Sequence, residues 1–146
     1  MNKVLVAVDG SETSDRAVLF AAELAKSADA SLLVLTVAQE PTLVAVPMGV
    51  MAEVEGVYMT SRDVIESAAA EIVDRAATQG EIAGVPVERL IRFGSPARTI
   101  VDTADAEGAD IVVMGRRGLG DFGALILGSV THKVMHLAKL PVLTVP

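Results

Sequence analysis

The chain contains no cysteine and no tryptophan among its 146 residues, and only one tyrosine and three phenylalanines. Without cysteine there is neither a disulfide framework nor thiolate chemistry, which fits a reducing compartment and predicts a cytoplasmic location. Aliphatic side chains supply most of the apolar half of the sequence, as is typical of a parallel sheet covered by helices. At this length we expect a single domain, residues 1–146, with one sizeable core.

Positive charge and long apolar runs are also scarce. Twelve lysines and arginines stand against nineteen acidic residues, and the resulting formal charge of −7 argues against nucleic-acid binding. The first residues lead directly into a short apolar segment with no longer apolar stretch behind it. We therefore expect no signal peptide and no membrane insertion.

Short apolar segments alternate with apolar stripes of helical spacing along most of the chain. The strand segments are residues 3–8, 31–37, 87–91, 111–114 and 141–145. The helical stripes cover residues 17–28, 64–76, 97–104 and 130–138. This alternation predicts βαβ units, and hence an α/β fold with an open, five-stranded parallel sheet.

The most informative pattern is a glycine loop between the fourth strand and the last helix. Gly-Arg-Arg-Gly occupies positions 115–118, and nine residues later Gly128-Ser129 precede the helix. A strand, a glycine loop and a helix N-terminus together present free backbone N–H groups to an anion. The spacing is neither a dinucleotide fingerprint nor a P-loop, because no G-x-G-x-x-G follows the first strand and no Gly-Lys-Ser/Thr is present. The loop predicts a phosphate site, with a nucleotide as the ligand that fits it best, and Arg116 and Arg117 could pair with phosphate oxygens.

Asp9 and Ser129 each have a structural alternative to ligand binding. Asp9 follows the first strand, so it either holds the turn before the first helix or contacts a ligand. Such a contact would accept hydrogen bonds from ribose hydroxyls or hold a cation that accompanies phosphates. Ser129 either caps the last helix or donates its hydroxyl to a phosphate.

Two further features leave their roles open. His132 and His136 are four residues apart, a spacing that can hold a metal, but the lack of a third ligand favours solvated or core histidines. Residues 39–56 show no regular period, and a loop of this length is usually functional or mobile. Its apolar content suggests that it packs over a pocket or a partner chain.

Three separated motifs together resemble the universal stress protein family. They are Lys-Val-Leu-Val-Ala-Val-Asp-Gly-Ser at 3–11, G-x2-G-x9-G-[S/T] at 115–129, and Lys-Leu-Pro-Val-Leu-Thr-Val at 139–145. The resemblance covers the chain from Lys3 onward and extends to the subgroup that binds ATP, since the loop motif is intact. It implies a Rossmann-like domain with helices on both faces of the sheet. It also implies a homodimer whose last strand, Val142–Val145, pairs with its counterpart in the partner.

The same resemblance implies a nucleotide site at the strand ends. It places Ala7, Val8 and Asp9 at the adenosine, Val37 at the base, Met114, Gly115 and Gly118 at the ribose and phosphates, and Gly128, Ser129 and Val130 at the phosphate tail. The loop interior carries Asp121 and no basic residue. We therefore expect Arg116, Arg117, the helix N-terminus or a Mg²⁺ ion to compensate the phosphate charge.

These observations favour an ATP-binding regulatory protein of the stress response that acts as a nucleotide-dependent dimeric switch. ADP or AMP are alternative ligands, and a further protein partner is compatible with this role. Two other functions stay open: slow ATP hydrolysis in the same pocket, and a dimeric scaffold that never holds nucleotide. Phosphoryl transfer needs a positioned nucleophile. No such arrangement is recognisable, so no catalytic residue is assigned.

Overall fold

The computed structural model describes residues 1–39, 61–119 and 127–146, in which five strands and four helices alternate. They are β1 (Lys3–Ala7), α1 (Glu12–Ser27), β2 (Ser31–Ala38), α2 (Ser61–Ile82), β3 (Val87–Phe93), α3 (Pro96–Ala106), β4 (Ile111–Gly115), α4 (Ser129–Leu137) and β5 (Val142–Val145). All neighbouring strands pair in parallel, in the order β3-β2-β1-β4-β5. This sheet confirms the predicted α/β architecture.

Alternating side chains of the central strands form two separate apolar layers. Val4 and Val6 of β1 pack with α1 and α2, whereas Leu5 and Ala7 pack with α3 and α4. Successive side chains of a strand point to opposite faces, so one unbroken apolar run fills both layers. The helices therefore lie on both sides of the sheet, as predicted.

Helix α1 lies on the sheet through small residues. The sequence offers Ser11 and Ser14 as N-caps, and Ser11 is the N-cap, where it accepts the Ser14 N–H at 3.2 Å. Phe20 belongs to the predicted apolar stripe 17–28, yet it is 44% exposed, while Ala17 and Ala21 are fully buried. The alanine face allows a close approach to the sheet, and a phenylalanine would hold the helix away from it.

The sequence predicts that α2 ends near Gly80, and the helix ends two residues later, at Ile82. A Cβ added at Gly80 would lie 2.8 Å from Leu32 Cδ2 and 2.9 Å from Val87 Cγ2. Gly80 is therefore a packing residue, which lets α2 approach β2 and β3 more closely than any side chain would allow.

The amino ends of β1 and β4 are joined by a single carboxylate. Asp110 accepts the backbone N–H of Asn2 at 2.5 Å and that of Lys3 at 3.0 Å. These two donors stabilise the ionised form and hold the pKa of Asp110 below its ordinary value.

Three further expectations concern the irregular segment, Asp121 and membrane insertion. Residues 40–56 of the irregular segment lie outside the described residues, and so does Asp121. Among the helices that are described, none is long and apolar enough to cross a membrane.

We predict that Gly80→Ala lowers the free energy of unfolding by about 1–2 kcal/mol. Overpacking against the buried Leu32 and the half-buried Val87 costs about 1–3 kcal/mol, and the better helix propensity of alanine offsets at most about 1 kcal/mol. Urea denaturation measures the change. Ser67→Ala, at an exposed position of the same helix, is the control and should be neutral or slightly stabilising. A Gly80→Ala variant at least as stable as the wild type would contradict the packing role.

Candidate functional site

A cavity of about 350 Å³ lies beyond the carboxyl ends of β1, β2 and β4. Strands β1 and β4 are neighbours in the sheet although more than a hundred residues separate them in sequence. The chain leaves β1 towards β2 on one side, and it leaves β4 towards β5 on the other. Parallel α/β sheets bind ligands at such a switch point.

The cavity brings together eleven of the twelve predicted site residues. They are Ala7, Val8, Asp9, Val37, Met114, Gly115, Arg117, Gly118, Gly128, Ser129 and Val130. The twelfth, Arg116, is not among the lining residues. Its backbone instead connects β5 with the start of α4. The Arg116 N–H donates to Val145 O at 2.7 Å, and the Arg116 carbonyl accepts the Gly128 N–H at 2.8 Å.

Sequence reasoning missed several lining residues. They are Ser14, Leu35, Gln39, Pro96, Ile100, Leu119 and Thr131. Leu35 could have been found, since it lies two residues before Val37 and so shares its face of β2. Pro96 and Ile100 lie one turn apart at the start of α3. Their place in the site depends on the strand order, which the sequence does not state.

Asp9 connects the turn after β1 to the glycine loop. Its Oδ1 accepts the Ser11 N–H at 3.0 Å and the Ser11 hydroxyl at 2.6 Å, and its Oδ2 accepts the Leu119 N–H at 3.2 Å. The carboxylate therefore holds the turn, one of the two roles left open by the sequence. A carboxylate has about four acceptor positions, so three protein donors leave room for one ligand contact.

Two threonine hydroxyls support carbonyl groups of the loop. Thr13 Oγ1 donates to Arg117 O at 2.6 Å from the first turn of α1. Thr131 Oγ1 donates to Gly115 O at 2.9 Å from the first turn of α4. Because these helices lie on opposite faces of the sheet, the loop backbone is held from both sides.

The N-terminus of α4 forms one wall of the cavity without a side-chain cap. Gly128 is the N-cap residue and Ser129 is the first helical residue, so the Ser129 hydroxyl does not cap the helix. The first turn of a helix carries unsatisfied N–H groups and a partial positive charge, both of which attract anions. The Nε atoms of Arg116 and Arg117 are both buried and have no hydrogen-bond partner among the described residues.

The two histidines of α4 lie outside this arrangement. His132 and His136 are both exposed. Across residues 1–39, 61–119 and 127–146, no three His, Cys, Asp or Glu side chains converge as a metal site. Because both side chains are exposed, these histidines are solvated and do not belong to the core.

A family model described as the universal stress protein family matches residues 1–146. A universal stress protein of Bacillus subtilis, YxiE, is 34% identical over 99% of this chain and 98% of its own length. Two solved structures are similar over nearly the whole chain. One is a universal stress protein in complex with cAMP (26% identity, 99% of this chain and 97% of that one, TM-score 0.75). The other is the universal stress protein from Archaeoglobus fulgidus in complex with dAMP (26% identity, 100% and 98%, TM-score 0.69). The chain therefore belongs to the universal stress protein family.

We predict that Thr131→Val lowers the free energy of unfolding by about 1–3 kcal/mol. Thr131 is 3% exposed, and losing its hydroxyl removes a buried donor from the Gly115 carbonyl. Thr131→Ser keeps the hydroxyl and should lose clearly less in the same urea titration. Equal losses in both variants would show that the methyl group, and not the hydrogen bond, stabilises this contact.

Proposed function

We propose that the chain is an ATP-binding regulatory protein of the stress response, with ADP or AMP as alternative ligands. The observation that carries this proposal is the mixed lining of the cavity. On the β2 side of β1 the lining is apolar, with Leu35 and Val37, and after β4 it holds Arg117 and the uncapped start of α4. An adenine ring and a phosphate group require these two environments.

Relatives support this choice of ligand. Two similar structures were solved with cAMP and with dAMP, which share an adenine base and a phosphate group. Both likenesses cover nearly the whole of this chain, including the cavity and the glycine loop. We therefore propose that adenine lies against Val37 and that phosphates meet Gly128, Ser129 and Val130.

Binding is favoured over hydrolysis because of how the acidic lining residue is held. Protein donors fill three of the four acceptor positions of Asp9, two from Ser11 and one from Leu119, and the proposed contact with adenosine would fill the fourth. A general base must be able to receive a proton from the attacking water. With a nucleotide bound, Asp9 would have no acceptor position left for that role.

Phosphate charge needs more compensation than a helix N-terminus supplies. A helix terminus stabilises an anion by about 0.3–1 kcal/mol when exposed and up to about 2 kcal/mol when partly buried. The chain as a whole carries a formal charge of −7. We therefore propose that a Mg²⁺ ion accompanies the phosphates and that Arg117 pairs with a phosphate oxygen.

We predict that Arg117→Ala weakens ATP binding about 10- to 100-fold, and adenosine binding less than about 3-fold. The loss for ATP corresponds to one charge-assisted hydrogen bond of about 1.5–3 kcal/mol. Removing Mg²⁺ should likewise weaken ATP and spare adenosine. Isothermal titration calorimetry measures the affinities for ATP and adenosine in the wild type, in the variant and in the wild type without Mg²⁺. Arg116→Ala is the matched control, because its side chain is not among the cavity lining, and it should lose less.

Three results would count against this assignment. Equal losses for ATP and adenosine would place Arg117 at the nucleoside or in the fold. Unchanged affinities would mean that the phosphates lie in solvent. A folded wild-type protein that binds neither ligand would favour the nucleotide-free scaffold.

We further propose that nucleotide occupancy is communicated to a homodimer through β5. The backbone of Arg116 is hydrogen-bonded to both Gly128, where we propose that phosphates bind, and Val145, the last residue of β5. Strand β5 is the last strand of the described sheet, and its four residues are half-buried. An apolar edge strand favours pairing with another chain. A displacement of Gly128 by phosphate would therefore reach the strand that we propose pairs with its copy.

We predict that Thr144→Pro converts the dimer to a monomer. The carbonyls of Pro141 and Val145 accept N–H groups from the β4 side, so the alternation of a parallel ladder directs the Thr144 N–H towards the open edge. Proline removes that donor and leaves the β4–β5 bonds in place. Light scattering coupled to size-exclusion chromatography measures the mass. Thr144→Ala should remain dimeric, and a dimeric Thr144→Pro protein would refute pairing through this edge.

A further inference from the structure

The glycines of the loop contact protein atoms where a phosphate approach was expected. A Cβ at Gly118 would lie 2.5 Å from Asp9 Oδ2, and a Cβ at Gly115 would lie 2.9 Å from both the carbonyl carbon and Oγ1 of Thr13. Neither glycine has a positive φ, so neither is required by a left-handed backbone. Some other constraint must exclude a side chain at these two positions.

That constraint is the turn between β1 and α1, together with the first turn of α1. Asp9 in the turn accepts the Leu119 N–H through Oδ2, and Thr13 in the helix donates to Arg117 O, so two parts of the loop are bonded to this segment. Ser11 in turn holds Asp9 through its N–H and its hydroxyl. These hydrogen bonds require the loop backbone to lie close to Asp9 and Thr13. Glycine at positions 115 and 118 allows this distance because it has no Cβ.

The hydroxyl protons of this cluster are already committed. Ser11 Oγ donates to the Asp9 carboxylate and Thr13 Oγ1 donates to a carbonyl, and each hydroxyl has a single proton. The 3.1 Å contact between the two hydroxyl oxygens therefore has no proton to share. Thr13 cannot turn to a ligand without releasing the Arg117 carbonyl.

We infer that Asp9 and Thr13 are positioning residues that clamp residues 115–119 in the shape that receives phosphates. Gly115 and Gly118 are glycines because this clamp occupies their Cβ positions. The inference rests on the proposed nucleotide function for its consequence, but the clamp itself can be tested in the ligand-free protein. It assigns the first half of the glycine motif to the protein's own packing, and leaves the second half, Gly128 and Ser129, to face the ligand.

A double-mutant cycle on the ligand-free chain tests the clamp. Gly118→Ala should lower the melting temperature by about 3–10 °C, as expected for overpacking in a protein of this size. In an Asp9→Ala background the same change should lower it by less than about 2 °C, because the opposing carboxylate is gone. Gly115→Ala is the matched contrast. Its clash includes the Thr13 backbone, so Thr13→Ala should not rescue it.

A second measurement tests positioning separately from stability. Thr13→Val keeps the side-chain shape but loses the donor to Arg117 O, and it should weaken ATP about 10-fold while adenosine changes less than about 2-fold. Thr13→Ser keeps the hydroxyl and should restore ATP affinity. The selectivity for ATP is the readout that a general loss of stability would not produce.

Each outcome decides a different point. A Gly118→Ala cost that is the same with and without Asp9 overturns the clamp. Thr13→Val and Thr13→Ser variants that behave alike overturn the positioning role. If the wild type binds neither ATP nor adenosine, the nucleotide function fails and the loop has no phosphate to receive. Coupling in the cycle would then show a clamp that serves the fold alone.

Discussion

The parallel pairing of β1 with β4 is the contact on which the site depends. Two strands far apart in sequence lie side by side, and the segments that follow them enter opposite halves of the sheet. Only this adjacency brings Asp9 within hydrogen-bond distance of Leu119.

Much of the fold could be predicted from the sequence because its signals are local. Residues 4–8 are apolar at every position, and Ser95-Pro96 marks the start of α3, with Ser95 as the N-cap and Pro96 as the first helical residue. The errors also have local causes. Phe20 shares the helical spacing of the alanines beside it, and spacing cannot tell which side of a broad apolar stripe faces the sheet. Gly80 resembles a helix stop until its neighbours on β2 and β3 are known.

The candidate site was predicted less completely, because its geometry is a property of the strand order. Residues that directly follow β1 and β4 could be named in advance, since carboxyl ends of parallel strands share one edge. The contribution of Pro96 and Ile100 could not, because it requires α3 to pack beside β2 and α4. Likewise, the spacing of Gly115 and Gly118 predicted an anion site, but it did not show that protein atoms already face both glycines.

This distinction matters for how a glycine motif is interpreted across related chains. A glycine required by a neighbouring carboxylate would persist in a chain that had lost its ligand, as long as that carboxylate remained. Gly128 lies outside the clamp, since it is the N-cap of α4 and lines the cavity. Under the clamp, Gly115 and Gly118 report that the β1–α1 turn and the loop are joined, whereas Gly128 and Ser129 report the anion. The two halves of the motif therefore carry different information, and nucleotide binding is argued from the second half together with Arg117.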